Sequence, residues 1–130
     1  MVNQIVVAGA IIAERTVLLA QRVRPPALAG RWELPGGKVA SGETEPDALA
    51  RELGEELGVE VTVGSRLGDD VELSATTTLR AYQATLVGGE PRPHDHAALR
   101  WVAAAELNDV DWVPADRAFL PALQRLLATP

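Results

Sequence analysis

The sequence predicts a layered α/β domain in which a mixed β-sheet lies between two helices. Three observations lead to this prediction: apolar runs rich in branched residues near the start, an amphipathic helix in the middle, and a second amphipathic segment near the end. Hydrophobic residues make up 47 % of the 130 residues, which is enough for one sizeable core. We therefore expect residues 1–130 to form a single domain.

The first predicted strands lie near the N-terminus. Residues 5–12 and 17–21 are short apolar runs rich in branched side chains, which is typical of buried strands. Glu14 and Arg15 would form a tight connection between them. Residues 32–34 predict a short third strand, and the proline and two glycines that follow should end it.

The central segment predicts the clearest helix. Thr44 can cap its start, with Pro46 in the first turn and Asp47 three residues after the cap. Gly58 can end the helix as its C-terminal cap. Leucines recur at every fourth position and predict the buried stripe, namely Leu49, Leu53 and Leu57.

The remaining elements follow in the second half of the chain. Residues 59–63 alternate between valine and polar residues, which predicts a half-buried strand. Further strands are expected around residues 77–87 and 98–102. A second helix should follow Pro114, although Pro121 would weaken or kink it. The apolar face of this helix consists of Phe119, Leu123, Leu126 and Leu127.

Composition excludes several classes of function. The absence of cysteine rules out disulfide frameworks, thiol catalysis and cysteine-ligated metals. The acidic balance argues against non-specific binding of nucleic acid. The apolar run near the start lacks a basic leader and is too short to cross a bilayer. We therefore expect a cytoplasmic protein that binds neither nucleic acid nor membrane.

The charge is concentrated in one segment. Residues 43–60 hold seven acidic side chains against Arg51 alone, so this segment carries the whole formal net charge of −6. On a helix, Glu52, Glu55 and Glu56 would share one face, although like charges at this spacing are destabilising. Clustered carboxylates are the ligands that Mg²⁺ and Mn²⁺ require. The alternative is a solvated acidic face with no ligand.

The spacing around this cluster matches a known motif. Gly37 is followed after five residues by Glu43, and seven residues later by Arg51-Glu52-Leu53-Gly54-Glu55-Glu56-Leu57-Gly58-Val59. This segment matches every fixed position of the Nudix box, GX5EX7REUXEEXGU, in which U is a bulky aliphatic residue. The chain therefore resembles the Nudix hydrolases.

The resemblance extends beyond the box to the MutT-type branch, and within it to CTP/dCTP pyrophosphohydrolase-like members. The matching segments are Gln21-Arg22, Trp32-Glu33-Leu34-Pro35-Gly36-Gly37-Lys38, the spacing from Asp95 to Trp101, and Pro114-Ala115-Asp116. It implies a Nudix-type α/β/α sandwich with a loop–helix–loop motif. It also implies Mg²⁺-dependent hydrolysis of nucleoside triphosphates to monophosphate and pyrophosphate, with Mn²⁺ as a substitute. In MutT-type enzymes the water attacks the β-phosphorus.

The resemblance assigns roles within the box. Glu52, Glu55 and Glu56 correspond to metal-binding carboxylates, and the carbonyl of Gly36 to a backbone metal ligand. Glu52 is also the candidate for accepting the proton of the attacking water. Arg51 would hold Glu52 through a charge-assisted hydrogen bond. The catalytic set is completed by Glu43, which would anchor the loop–helix–loop.

Residues outside the box have weaker assignments. Asp95 stands where relatives carry an acidic metal ligand or base, usually glutamate, and the alternative is an ordinary loop aspartate. Arg22 corresponds to a phosphate-contacting arginine or is a surface residue at a strand end. Lys38 is a second candidate for phosphate binding. Leu34 replaces the aromatic residue that often stacks on the base. His94 and His96 are expected to be solvated loop residues.

Asp116 is the most informative residue for the choice of base. Related 8-oxo-dGTP-hydrolysing enzymes carry asparagine there, which offers a donor and an acceptor, whereas an ionised aspartate only accepts. The N4 amino group of cytosine is a suitable donor, so cytidine nucleotides are favoured: CTP, dCTP or 5-methyl-dCTP. Guanine N1–H and N2–H₂ could also donate, and the acid could instead stabilise a helix dipole.

Three functions remain open at this stage. The first is a pyrophosphohydrolase that prefers cytidine triphosphates, acting as a monomer or weak homodimer. The second is an 8-oxo-dGTP diphosphatase that sanitises the nucleotide pool in support of DNA repair. The third, from another class, is a non-catalytic nucleotide-sensing Nudix module. The intact glutamates of the box argue against the third.

Overall fold

The computed structural model describes residues 3–128. Their seven strands are β1 (Gln4–Ala13), β2 (Thr16–Gln21), β3 (Trp32–Glu33), β4 (Gly36–Lys38), β5 (Glu60–Ser74), β6 (Thr77–Gly88) and β7 (Ala98–Ala103). The α-helices are α1 (Glu45–Leu57) and α2 (Leu120–Ala128), and 3-10 helices span Ala104–Asp109 and Pro114–Phe119.

The strands form a mixed sheet, as the sequence predicts. β1 and β6 run parallel at its centre, with eight residue pairs from Gln4↔Thr77 to Ile11↔Ala84. The other pairings are antiparallel: β5 with β6, β4 with β1, and β2 with β1, β3 and β7. The connection from β1 to β2 is the tight one expected, since Glu14 and Arg15 both have positive φ, as a two-residue hairpin turn requires.

Strand β1 separates two hydrophobic layers because its side chains alternate between the faces of the sheet. Val7 and Ile11 belong to the core cluster that contains the buried leucines of α1. Ala8 and Ala10 belong to the other cluster, which contains Leu123 of α2. A helix therefore covers each face, and the predicted α/β/α sandwich is confirmed.

Helix α1 has the ends that the sequence predicts. The Thr44 side chain accepts a hydrogen bond from the Asp47 amide, with Oγ1–N at 3.2 Å. Gly58 ends the helix in the left-handed conformation, with φ of 70°, which glycine adopts without strain. Leu49, Leu53 and Leu57 are fully buried, and this fixes which face of the helix points away from the core.

Two segments differ from expectation. The Gly36–Lys38 segment does not only end a strand: it forms β4, paired with residues 6–8 of β1. Strand β5 continues far past residue 63, to Ser74. Its sequence conceals this because two glycines and two aspartates interrupt it, and the pairing with β6 survives through several register shifts.

The C-terminal segment is divided rather than kinked. Pro114–Phe119 is a 3-10 helix, and α2 begins at Leu120, so Pro121 lies in its first turn, where a missing amide hydrogen costs nothing. Phe119 and Leu123 are buried, as predicted. No helix within residues 3–128 is long and apolar enough to span a membrane.

Candidate functional site

The three box glutamates differ in environment. Glu52 and Glu55 have side chains that are 16 % and 60 % exposed, whereas one oxygen of Glu56 is fully buried. The cause is the helix periodicity, since the buried leucine stripe places positions 52 and 56 beside the sheet and position 55 on the outside. Solvent exposure therefore differs among the three carboxylates, and the acidic face is not uniformly solvated.

Arg51 neutralises part of the acidic segment. Its Nε and Nη2 donate to the two carboxylate oxygens of Glu43 at 2.7 and 3.0 Å, a bidentate pair. Nη1 donates to Glu52 Oε1 at 2.9 Å and more weakly to Glu55. Nη2 also donates to the Lys38 carbonyl oxygen at 3.1 Å. One guanidinium thus ties the loop before α1, strand β4 and two box glutamates together.

Glu43 is held as a carboxylate in the loop before α1. The hydrogen bonds from Arg51, with a further one from the Ala40 amide, lower the pKa of Glu43 from 4.5 to about 2. The same contacts raise the pKa of Arg51 above its ordinary value. This geometry matches the anchoring expected of Glu43 and the contact expected between Arg51 and Glu52.

The glycine of the box is needed because Glu52 packs directly onto it. A Cβ atom on Gly37 would lie 2.3 Å from Glu52 Oε2 and 2.4 Å from the carboxyl carbon, distances that real side chains do not tolerate. Strand β4 therefore leaves room for the carboxylate where it now lies, and a Cβ at position 37 would displace it. Arg51 donates a hydrogen bond to the carboxylate in the same position.

Glu56 is the least satisfied acid among residues 3–128. Its Oε2 is buried and has no hydrogen-bond partner. Burial raises the pKa of Glu56 from 4.5 to about 7, and the charges of Glu52, Glu33 and Asp95 add to the effect while His96 opposes it. A buried, unpaired carboxylate oxygen among other acids is a group that a divalent cation would satisfy.

The residues expected to bind the metal do not form a complete site in this structure. Within residues 3–128, no three acidic or histidine side chains converge closely enough to hold a metal ion. Glu52 is turned toward Arg51 and Glu55 points outward. The donor set suits an oxygen-preferring cation, but the side chains of Glu52 and Glu55 would have to move to join Glu56.

A cavity of about 570 Å³ lies beside Glu56. Its wall is mostly aliphatic and includes Val6, Ala8, Leu28, Leu79 and Val113. The residues expected to bind substrate all line it, as do three of the expected metal ligands: Arg22, Leu34, Lys38 and Asp116, with Gly36, Glu56 and Asp95. Glu43, Arg51, Glu52 and Glu55 are not part of the lining.

Asp95 lies on the cavity wall but is engaged elsewhere. Its Oδ1 accepts a hydrogen bond from Arg24 Nη2 at 2.7 Å, and both side chains are more than half exposed. The surrounding loop is fastened to the end of α1, since the amides of Arg92 and His94 donate to the carbonyl oxygens of Leu57 and Glu56. These bonds satisfy carbonyl groups that a helix end leaves free.

Two further residues belong to the site, Glu33 and His96, and the sequence pattern does not indicate either of them. Glu33 Oε1 accepts from Arg22 Nη1 and its Oε2 contacts His96 Nε2, each at 3.0 Å. The expectation that both histidines are solvated is wrong for His96, whose side chain is 6 % exposed. Its burial depends on how the loop packs on β2 and β3, so the local pattern carries no signal for it. His94 is exposed, as expected.

Asp116 lies in the first turn of the second 3-10 helix and is 4 % exposed. Its Oδ2 accepts a hydrogen bond from the Leu34 amide at 2.9 Å, across the chain from its own helix. Burial raises its pKa from 3.8 to about 7, against the lowering effect of the Leu34 amide. The carboxyl is therefore present in both protonation states near neutral pH, which differs from the ionised, purely accepting group assumed from sequence.

Known proteins resemble this chain over nearly its whole length. The NUDIX domain family matches residues 3–123. A Mycobacterium tuberculosis protein named "Putative 8-oxo-dGTP diphosphatase 2" is 70 % identical over 130 residues, covering 98 % of this chain and 92 % of that protein. The "CTP pyrophosphohydrolase" of Escherichia coli is 39 % identical over 125 residues, covering 95 % and 93 %.

Solved structures agree with these matches. The solution structure of the E. coli ORF135 protein has a TM-score of 0.83 and 35 % identity, covering 98 % of this chain and 93 % of that one. The crystal structure of a MutT NUDIX hydrolase from Burkholderia pseudomallei has a TM-score of 0.77 and 32 % identity, covering 94 % and 98 %. The chain therefore belongs to the NUDIX domain family and is a Nudix hydrolase of the MutT type.

Proposed function

We propose that this protein hydrolyses nucleoside triphosphates to nucleoside monophosphate and pyrophosphate with Mg²⁺, for which Mn²⁺ can substitute. One observation carries the proposal: the unpaired, buried oxygen of Glu56 and the backbone of Gly36 border the same cavity as Asp116. The same cavity is therefore lined by a carboxyl group that could bind the base, Asp116, and by an acid that could bind the cation, Glu56. The cation separates the acidic helix from a polyanionic substrate that it would otherwise repel.

The metal would be held by Glu52, Glu55, Glu56 and the Gly36 carbonyl, with Asp95 as a further ligand. When bound, Mg²⁺ supplies charge neutralisation at the phosphates and lowers the pKa of water. Glu52 would accept the proton of the attacking water, and Arg51, anchored by its bidentate pair with Glu43, donates a hydrogen bond to Glu52 in the structure. Arg22 and Lys38, both on the cavity wall, bind the phosphate groups.

Asp116 is the base-reading residue in this proposal. Leu34 occupies Oδ2, and no donor within residues 3–128 reaches Oδ1. As a carboxylate, Oδ1 accepts from the N4 amino group of cytosine, which favours CTP, dCTP and 5-methyl-dCTP. The 39 % identical relative named CTP pyrophosphohydrolase supports this preference.

A second candidate is 8-oxo-dGTP, and a specific observation favours it. Because burial raises the pKa of Asp116 to about 7, the protonated carboxyl can also donate a hydrogen bond. Donor and acceptor capacity together suit an oxidised guanine edge. The 70 % identical relative named as an 8-oxo-dGTP diphosphatase supports this candidate. Hydrolysis of 8-oxo-dGTP would sanitise the nucleotide pool.

The deciding experiment is a pyrophosphate-release screen with Mg²⁺ over the four NTPs, the four dNTPs, 5-methyl-dCTP and 8-oxo-dGTP. Glu52→Gln and Glu56→Gln should each lower kcat by at least about 10²-fold while the circular dichroism spectrum is unchanged. Glu60→Gln, an exposed acid just past α1, is the matched control and should keep wild-type kcat. Near-full activity of both site variants would overturn the assigned roles.

The pH dependence of substrate preference distinguishes the two candidate bases, cytosine and 8-oxoguanine. The ratio of kcat/KM for CTP to that for 8-oxo-dGTP cancels ionisations that both reactions share. This ratio should rise between pH 6 and pH 8, because the N4 amino group requires the ionised form of Asp116. Asp116→Asn should shift preference toward 8-oxo-dGTP and remove the pH dependence of the ratio. An unchanged substrate profile in this variant would refute base reading by Asp116.

A further inference from the structure

We propose that His96 is a positioning residue: it holds Glu33, and Glu33 in turn holds the guanidinium of Arg22 at the cavity wall. The proposal rests on the proposed function to the extent that Arg22 binds the phosphates of the substrate. His96 and Glu33 both line the cavity, and the effect of His96 on Arg22 is transmitted through the Glu33 carboxylate.

Sheet register brings the three residues together. Glu33 on β3 pairs with Ala20 of β2, and Arg22 follows directly after the end of β2. The loop that carries His96 returns to the same place, since the Ala97 amide donates to the Gln21 carbonyl oxygen at 2.9 Å. Three adjacent strands therefore deliver the three side chains to one end of the sheet.

The carboxylate of Glu33 is shared evenly between its two partners. Oε1 accepts from Arg22 Nη1 and Oε2 from His96 Nε2, both at 3.0 Å. Arg22 Nε is taken by the Arg24 carbonyl oxygen at 2.8 Å, so the guanidinium is fixed on two sides. Arginine loses little further entropy on binding an anion when its fork is already oriented.

The imidazole of His96 is buried, with Glu33 as its hydrogen-bond partner. The side chain of His96 is 6 % exposed, and its Nδ1 is buried without a partner within residues 3–128. A buried polar atom without a partner is destabilising, and an apolar residue at this position would avoid that cost. Because the Glu33 carboxylate accepts a hydrogen bond from Nε2, that nitrogen carries a proton. The structure thus keeps a histidine with an unsatisfied Nδ1 at this position, and the Nε2 of the same ring makes the hydrogen bond that orients Glu33.

The steady-state test uses His96→Leu and His96→Gln with a triphosphate substrate and saturating Mg²⁺. Loosening Arg22 removes binding that ground state and transition state share, so His96→Leu should raise KM about tenfold and leave kcat within about twofold. The amide of His96→Gln can donate to Glu33 Oε2 and should restore KM. Arg100→Gln, which breaks an exposed ion pair with Glu106 on the same strand, is the control and should keep wild-type KM.

Two further measurements complete the test: a double-mutant cycle with Glu33→Gln, and an NMR measurement that does not depend on activity. Glu33→Gln alone should raise KM, and His96→Leu should add little to it, since both act on Arg22 through one route. In ¹⁵N spectra of the free protein, exchange of the Arg22 Hε proton should accelerate in His96→Leu and return toward wild type in His96→Gln.

The outcomes separate the two proposals. Wild-type KM in a folded His96→Leu variant, or additive effects in the cycle, would overturn the role of His96. Unchanged Arg22 Hε exchange would do the same even if no triphosphate were hydrolysed. Absence of hydrolysis by the wild-type protein would instead refute the proposed function. If His96→Leu does not fold, wild-type KM in Glu33→Gln still contradicts the inference.

Discussion

Asp116→Asn isolates the free-energy cost of a buried acid. The carboxyl lies in the core beside the cavity, 4 % exposed, and burial raises its pKa from 3.8 to about 7. Asparagine has almost the same shape, and its Oδ1 can still accept from the Leu34 amide. The substitution therefore removes the titrating group and keeps the hydrogen bond that holds it.

The sign and size of the effect follow from the two pKa values. Between pH 3.8 and about 7 the native protein holds a proton that the unfolded chain has released. The free energy of unfolding of the wild type therefore falls as the pH rises through this window, and the loss is complete above pH 7. A pKa rise of this size corresponds to ~4 kcal/mol, because one pKa unit is worth about 1.4 kcal/mol.

Urea unfolding of both proteins at several pH values between 4 and 8 measures this term. Subtracting wild type from variant cancels the other titrations, so the difference should move in favour of Asp116→Asn by up to ~4 kcal/mol toward pH 8. Asp109→Asn, at an exposed site in the first 3-10 helix, is the control for the loss of one acid. A difference that stays constant with pH would refute the account of Asp116.

Three further predictions concern the loop–helix–loop. Gly37→Ala should lower kcat by about 10²-fold, because its Cβ would displace the Glu52 carboxylate. Gly64→Ala is the control, since the atom nearest to its Cβ would lie 3.6 Å away. Equal kcat values for the two variants would contradict the role given to Gly37. Arg51→Gln should raise the pKa of Glu43 from about 2 toward 4.5, measured by NMR titration of the Glu43 carboxyl carbon; a value that stays near 2 would exclude Arg51 as the cause. Mg²⁺ should raise Tm more at pH 8 than at pH 5.5, because at the lower pH the cation must displace the proton of Glu56; equal gains at both pH values, with EDTA as the reference, would argue against Glu56 as a ligand.

The sequence predicts the parts of this molecule that depend on local pattern. The caps of α1, its leucine stripe and the short turn at Glu14 and Arg15 follow from residue types at fixed spacings. Strand β5 does not, because its glycines and aspartates resemble a loop and only pairing with β6 extends it to Ser74. A sequence pattern is therefore sufficient to predict the structure of a segment whose conformation depends on its own residues.

The same distinction between local pattern and long-range packing applies to the functional site. The family resemblance implies the contact of Arg51 with Glu52, which lie side by side on one helix, whereas the bidentate pair of Arg51 with Glu43 is known only from the structure. The burial of Glu56 and Asp116 could not be predicted, because solvent is excluded by strands and loops distant in sequence. The burial of His96 is unpredictable from the local sequence for the same reason.

The hydrogen bond between Asp116 and the Leu34 amide has a consequence for substrate length. Leu34 is only two residues before Gly36, so the partner of the proposed base-reading residue and the proposed metal ligand belong to one short piece of backbone. Chain geometry limits the Cα–Cα distance from Leu34 to Lys38 to roughly 14 Å. In the proposed function, this segment would set the distance between the base and the phosphates, so a ligand of the wrong length would lose contact at one end or the other.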